Sequence, residues 1–253
     1  MSGRQGLTVA TLFPLDTVAA GDEANAAALQ RRGRQRGIDV HLATVNHPGT
    51  LVEAQVYLLG GDGLVGVGDL VAHLRGTDLV ERVRTGRALV LAVDAGLAAV
   101  CRSWTDQAGR RSGGLGLVAA DARGQRGTAS SVVTLPEERL GLPALVGWHA
   151  HALMLDRDPG IEPLLQVEPS HPGGSPEPDG VLVPGVVGTT LHGPALALNP
   201  ELADLVLKRA TGVDDRAAAW PPLPVPRAAL ARERRIAELR SASRPRRGLL
   251  SRR

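Results

Sequence analysis

The chain has 253 residues, of which 43% are apolar, 22% charged and 2% aromatic. That is apolar content for one large or two small packed cores, and too much for general disorder. No apolar run approaches the roughly 18 residues of a membrane helix, and the polar start, Met1 to Gly6, shows no secretory pattern, so a spanning protein is excluded and a cytoplasmic location is expected.

A single cysteine, Cys101, excludes an internal disulfide and a cysteine-rich metal site. The net charge of +3 is polarised: from Arg227 to Arg253 ten Arg accompany Glu233 and Glu238, a balance of +8 that leaves −5 on the rest. Such a tail reads as a solvated, partly disordered appendage, or as a contact for anionic lipid, nucleic acid or an acidic partner.

Leu7 to Phe13 is a short apolar run with β-branched members, a buried strand ended by Pro14. The segment GDEANAAALQRRGRQRG from Gly21 predicts a helix, with Asp22 as N-cap, Glu23 in the first turn, a basic end and Gly37 as the stop. Strands follow at Ile38 to Val45 and at Ala54 to Leu59, the second running into Gly60-Gly61-Asp62-Gly63. Asp69 to Val83 has helical spacing and closes at Gly86. Ala88 to Val93 is almost wholly apolar, as a central parallel strand is.

Asp94-Ala95-Gly96 then turns into an Ala-rich helical stretch, Leu97 to about Trp104. Strand, tight turn and helix are the geometry of a nucleophile elbow, and the side chain presented is Asp94. Asp106 to Gly127 is rich in Gly and polar residues, with an apolar island at Gly113 to Val118. Short strands are expected at Ser130 to Leu135, Ala144 to Trp148 and Leu164 to Val167, and an exposed turn-rich loop at Ser170 to Gly180. Val181 to Thr190 returns to apolar, β-branched composition and ends at Leu191-His192-Gly193-Pro194. Asn199 as N-cap and Pro200 at the first position start a helix to about Ala210. The divisions expected are a domain over 1–212, a Pro-rich linker over 213–226 and a basic tail over 227–253, in which Ala228 to Arg240 has helical propensity.

The chemistry-bearing features are the elbow at Asp94, the Gly-rich turn at Gly60 to Gly63, and His192 at a strand end. In an open sheet all three strand ends can converge on one crevice, where a Gly-rich turn frees backbone N–H groups for an oxyanion. His149 and His151, spaced i, i+2, are expected on one strand face; they are metal-ligand types without a third ligand at evident spacing.

The pieces YLLGGDG, LAVDAGLAA, GGLGLV, LVGWHAH and GTTLHGP, in this order after the first helix, resemble the class I, or triad-type, glutamine amidotransferases. The branch they resemble is the cobyric-acid-synthase-like one, which includes the amidotransferase subunit of lipid II isoglutaminyl synthase. The resemblance covers Leu7 to Gly212 and implies an α/β fold with an open, mostly parallel, flavodoxin-like sheet. No cofactor or metal is expected, and the resemblance implies glutamine as substrate and a Mur-ligase-like partner subunit in peptidoglycan precursor amidation.

In that family a Cys at the elbow attacks the glutamine amide and a His after the GT-x-LHG strand serves as base and acid. This sequence places Asp94 at the nucleophile position and His192 at the His. Gly60, Gly61 and the Ala95 N–H stand at the oxyanion positions, and Arg126 lies near the anchor of the glutamine carboxylate. A carboxylate at residue 94 cannot form the thioester, and its charge repels an oxyanion. Cys101 lies seven residues on, roughly 10 Å along a helix axis, and reads as a buried structural thiol.

Three functions stay open. One is a degenerate subunit that scaffolds or regulates the ligase partner, one an active amidotransferase subunit supplying ammonia, and one a small-ligand-binding module with a lipid- or nucleic-acid-contacting tail. Specific nucleic-acid work lacks its signature, since no aromatic residues are interleaved with the basic ones.

Overall fold

The chain is described by a computed structural model covering residues 6–13, 22–47, 49–61, 66–171, 173–193, 195–212, 220, 221, 223 and 227–243. The expectations placed on Pro14, Gly21, Asp62, Gly63, Pro194, most of the 213–226 linker and residues 244–253 lie outside the described residues. Among those described, no helix is long and apolar enough to cross a membrane.

β1 (Gly6–Leu12) sets the frame. Its period-two alternation sends Leu7 and Val9 to one face and Ala10 and Leu12 to the other. α1 (Asp22–Arg36) then returns the chain to β2 (Asp39–Val45), which pairs parallel with β1. Gly33 lets α1 approach the sheet, because a Cβ there would lie 2.4 Å from a Val40 methyl. β3 (Val56–Leu59) lies on the other side of β1, with Val56 and Leu58 on one face and Tyr57 and Leu59 on the other.

The helical run expected over Asp69 to Val83 is two helices, α2 (Val67–Arg75) and α3 (Leu79–Arg84). Gly76 ends the first, and the Thr77 hydroxyl donates to Leu74 O at 2.8 Å. β4 (Leu89–Val93) is buried at every position, as its composition requires of a central strand. α4 (Ala95–Val100) follows and is shorter than the expected Leu97 to Trp104 helix, because Cys101 adopts extended backbone and opens β5 (Cys101–Thr105). β5 pairs with β6 (Arg111–Gly113) and β7 (Val118–Gly124), and those ladders outweigh the local Ala-rich helix propensity.

β8 (Ser130–Pro136) and β9 (Leu145–His149) form a hairpin. β10 (Leu153–Arg157), which sequence pattern alone did not indicate, pairs with β7. β11 (Leu165–Val167) pairs with β8 and with β12 (Glu177–Asp179). β12 corrects the exposed-loop expectation for Ser170 to Gly180, since its Asp179 is 2% exposed. The apolar run from Val181 is a hairpin, β13 (Val181–Val183) and β14 (Val186–Thr189), turned at Gly185 with φ 75°. β15 (Leu191–His192), α5 (Ala195–Leu198), α6 (Pro200–Ala210) and α7 (Arg227–Ala242) complete the chain.

The large sheet has the order β13-β14-β4-β3-β1-β2, parallel except at the β13 edge. This is the flavodoxin-like α/β architecture. One face is covered by α2, α3 and α4 together with the four-stranded sheet β10-β7-β5-β6. The other is covered by α1, α5 and α6 together with the antiparallel sheet β12-β11-β8-β9-β15. Across that second layer the buried Arg32 of α1 clamps Asp204 of α6 through two contacts of 2.8 and 2.7 Å.

The basic tail does not hang free over residues 227–243. α7 seats Ala229, Arg232 and Ile236 inward, and Ile236 packs with Val133 of β8 and Val146 of β9. Arg232 pairs with Glu201 of α6, and Arg240 pairs with Glu168 beyond β11. The reason is amphipathic spacing inside an Arg-rich sequence: residues 229, 232 and 236 share one helical face, and Arg232 is neutralised by its partner. Ahead of α7, Trp220 sits under the Arg36 guanidinium and the Lys208 ammonium, 5.2 and 5.7 Å from its ring centroid.

Candidate functional site

β4 delivers Asp94 to the carboxyl edge of the large sheet, and the chain reverses there in one residue. Asp94 has φ 48° and ψ −101°, a backbone state that costs a non-glycine residue about 1–3 kcal/mol. Three contacts hold it. Asp94 N–H donates to Thr189 O at 3.0 Å, Asp94 O accepts the Ala98 N–H at 3.0 Å, and α4 leans directly on the end of β3. The last is possible because residue 96 is glycine: a Cβ there would lie 1.8 Å from Leu59 O. The elbow read from the sequence is present, with Asp94 at its tip.

His192 arrives from another sheet. β14 ends at Thr189, the chain turns through Thr190, and β15 joins β9 with Leu191 opposite His149 and His192 opposite Trp148. Its Nε2 lies 2.7 Å from Asp94 Oδ2, and the two side chains are 9% and 1% exposed. The structure thus brings Asp94 and His192 into direct contact, with both side chains buried.

The turn between the two sheets is fastened by a residue that sequence reading passed over. Asp179 Oδ1 accepts the Thr190 backbone N–H at 3.0 Å and the Thr190 hydroxyl at 2.6 Å, while Oδ2 accepts the Thr189 hydroxyl at 2.6 Å. With its hydroxyl proton given to Asp179, Thr190 Oγ1 accepts from His149 Nε2 at 2.6 Å. His149 Nδ1 accepts the His151 backbone N–H at 2.8 Å. His149 is therefore the neutral Nε2–H tautomer, and burial holds its pKa below the usual histidine value against the pull of Asp179. The Thr-Thr doublet before LHGP was the available signal. Asp179 was hidden because it follows a Pro- and Gly-rich stretch.

Gly60 and Gly61 stand at the end of β3, whose Leu59 is in register with Ala92 of β4, so their turn flanks the elbow. The Gly60 N–H is engaged by the Asp22 carboxylate. Asp22 is not a cap at the helix edge, as expected, but a buried residue of the first turn of α1. Burial pushes its pKa from 3.8 up to about 6, with the Gly60 contact opposing the shift. Gly61 keeps a φ of 138°, and Ala95, fully buried, opens α4 right after Asp94. Arg126 is exposed on the loop between β7 and β8, and the structure does not join it to the Asp94 and His192 pair.

Cys101 is buried at the end of α4, where its Sγ–H donates to Leu97 O at 3.2 Å. Burial pushes the thiol up to about 12, so it is protonated and unreactive. His149 and His151 do not share a strand face, because β9 ends at His149 and His151 takes a left-handed backbone with φ 51°. Their rings meet instead at 4.1 Å between centroids. Among the described residues no group of three or more His, Cys, Asp and Glu is placed to hold a metal ion.

No protein-family model and no curated protein sequence matches the chain. Solved structures do. A glutamine amidotransferase crystal structure superposes with a TM-score of 0.57 at 18% identity, over 80% of this chain and 98% of that one. The glutaminase domain of Trypanosoma brucei CTPS with bound acivicin gives 0.55 at 12% identity, over 85% and 96%. The structure of PurLQS from Thermotoga maritima gives 0.50 at 10% identity, over 81% and 98%. The chain has the class I glutamine amidotransferase fold, and at these identities the likeness is one of fold.

Proposed function

We propose that the chain is a degenerate glutamine amidotransferase-like subunit, which keeps the crevice of that fold without its glutaminase chemistry and serves a ligase-like partner as scaffold or regulator. The observation that carries this reading is the 2.7 Å contact of Asp94 Oδ2 with His192 Nε2 at the elbow. A thiolate there would attack an amide and a neighbouring imidazole would pass the proton on. A carboxylate held against the imidazole occupies both groups, and its charge opposes an oxyanion. The one thiol of the chain sits at Cys101, buried and protonated, and cannot take over.

The finer parts of the reading come from the resemblance of the GTTLHGP, LAVDAGLAA and first-helix segments. In those terms the partner is a Mur-ligase-like subunit and the process is peptidoglycan precursor amidation. The Gly60, Gly61 and Ala95 backbone and Arg126 are the groups that the resemblance assigns to glutamine. One neighbour is itself described as a glutaminase domain of a named protein, which fits a fold used in the service of other units.

The test is glutamate release from glutamine by the purified full chain, alone and with the ligase-like protein that co-purifies from its own cells. Release at background, with such a chain recovered at comparable abundance, is expected. Turnover that disappears in Asp94→Ala or Cys101→Ala would overturn the loss of chemistry. Recovery of the chain by itself would overturn the partner role and favour small-ligand binding in the crevice.

A further inference from the structure

A second constellation lies outside the Asp94 crevice. Ser130 Oγ is 3.0 Å from His151 Nε2, and His151 Nδ1 is 3.5 Å from Glu177 Oε2. All three residues line one cavity of about 450 Å³ between β8, the segment after β11, and α7. This size falls in the range of small-molecule sites. Hydroxyl, imidazole and carboxylate in this order, with the hydroxyl on one ring nitrogen and the carboxylate on the other, are the parts of an activated serine.

The histidine is held for such a role. Its backbone is left-handed at φ 51°, an uncommon state outside glycine, and four contacts fix it there. The His151 N–H donates to His149 Nδ1 at 2.8 Å, and the His151 carbonyl accepts from Gln125 Nε2 at 2.9 Å. The ring rests on the His149 ring, and Gly127 closes on the His151 carbonyl where a Cβ would lie at 2.2 Å. With Nδ1–H directed at Glu177, Nε2 is left as the acceptor of the Ser130 hydroxyl, the tautomer that a general base needs.

We infer that Ser130, His151 and Glu177 form a hydrolytic site for a small carboxylic ester, whose acyl group is taken by the apolar cavity wall at Val132, Val167 and Leu239. In the first step Ser130 Oγ attacks the ester carbonyl carbon as its proton passes to His151 Nε2. The ester C–O bond then breaks, and the leaving alkoxide takes that proton and departs as the alcohol. Water, deprotonated by His151, attacks the acyl-serine; the carboxylic acid leaves, and the proton returns to Ser130 Oγ. Glu177 is the positioning residue that keeps Nδ1 protonated. The site shares no residue with the Asp94 and His192 pair, so its test stands apart from the amidotransferase-like reading.

The experiment treats the full chain with a fluorophosphonate probe, maps the labelled peptide by mass spectrometry, and measures p-nitrophenyl acetate hydrolysis. Labelling at Ser130 is expected. In Ser130→Ala, with its melting curve unchanged, labelling should vanish and turnover should fall by about a hundredfold or more. Glu177→Ala, at an exposed rim position, should lower kcat while leaving KM in place, and Glu177→Asp should restore part of kcat. No label on the native chain, label on Ser131 or Ser170 instead, or native turnover in Ser130→Ala would each overturn the inference.

Discussion

The carboxylate of Asp22 stands where a side chain on residue 60 would have to go: a Cβ built on Gly60 would lie 2.1 Å from Asp22 Oδ2. The first turn of α1 and the turn after β3 are thereby locked together by a buried acid. Its folded pKa of about 6 lies above the ordinary 3.8, so the ionised form is the penalised one. Stability from this group is fully present below pH 3.8 and is lost as pH rises through 6. The loss approaches about 3 kcal/mol at neutral pH. Asp22→Asn should therefore melt above the native chain at pH 7.5, and the two curves should converge as pH falls towards 3.8. Equal melting temperatures at pH 7.5 would show that the buried charge carries no cost.

Asp179→Asn replaces one acceptor oxygen with an amide that faces donors from Thr189 and Thr190. Three hydrogen bonds then have at most one proper acceptor, at a cost of about 2–4 kcal/mol. Urea unfolding should show a lower midpoint with an unchanged slope. A midpoint within error of the native chain would mean that the corner before His192 is held by its own backbone alone.

Ile236 fills the space between α7 and the β8–β9 hairpin, so Ile236→Ala should cost about 2–4 kcal/mol of unfolding free energy. Ending the chain at Gly212 should cost more, because Val133 and Val146 become exposed and Glu201 loses Arg232. Differential scanning calorimetry of both variants decides the matter. A truncated chain that melts with the native one would return residues 227–243 to the status of an appendage.

The parallel sheet was legible because each of its strands carries its own signal: the alternation of Leu7 to Leu12, or the unbroken apolar run from Leu89 to Val93. The elbow was legible for the same reason, since strand, reversal and Gly96 are adjacent in sequence. Asp179 was not, because it follows a Pro- and Gly-rich stretch and only the Thr189-Thr190 doublet, ten residues on, hints at the acceptor it supplies. Ala-rich propensity is local and places Cys101 in a helix, whereas the ladder with Val118 that claims it is formed 17 residues away. The seat of α7 was missed because net charge dominates its composition, and only the spacing of Ala229, Arg232 and Ile236 reveals a face. The meeting of His151 with Ser130 has no sequence signature, since it depends on a left-handed residue just past a strand end.

Asp94 and His192 are anchored in different sheets, the first by β4 in the large one and the second by β15 in the antiparallel one. The 2.7 Å between them is therefore a caliper reading taken across two plates joined through Thr190. A slip of one plate by a single ångström, about a fifth of the spacing between neighbouring strands, would part the pair without altering a residue near either side chain. Because α7 bears on the β8–β9 hairpin and β9 pairs with β15, the helix at the rim and His192 belong to the same plate.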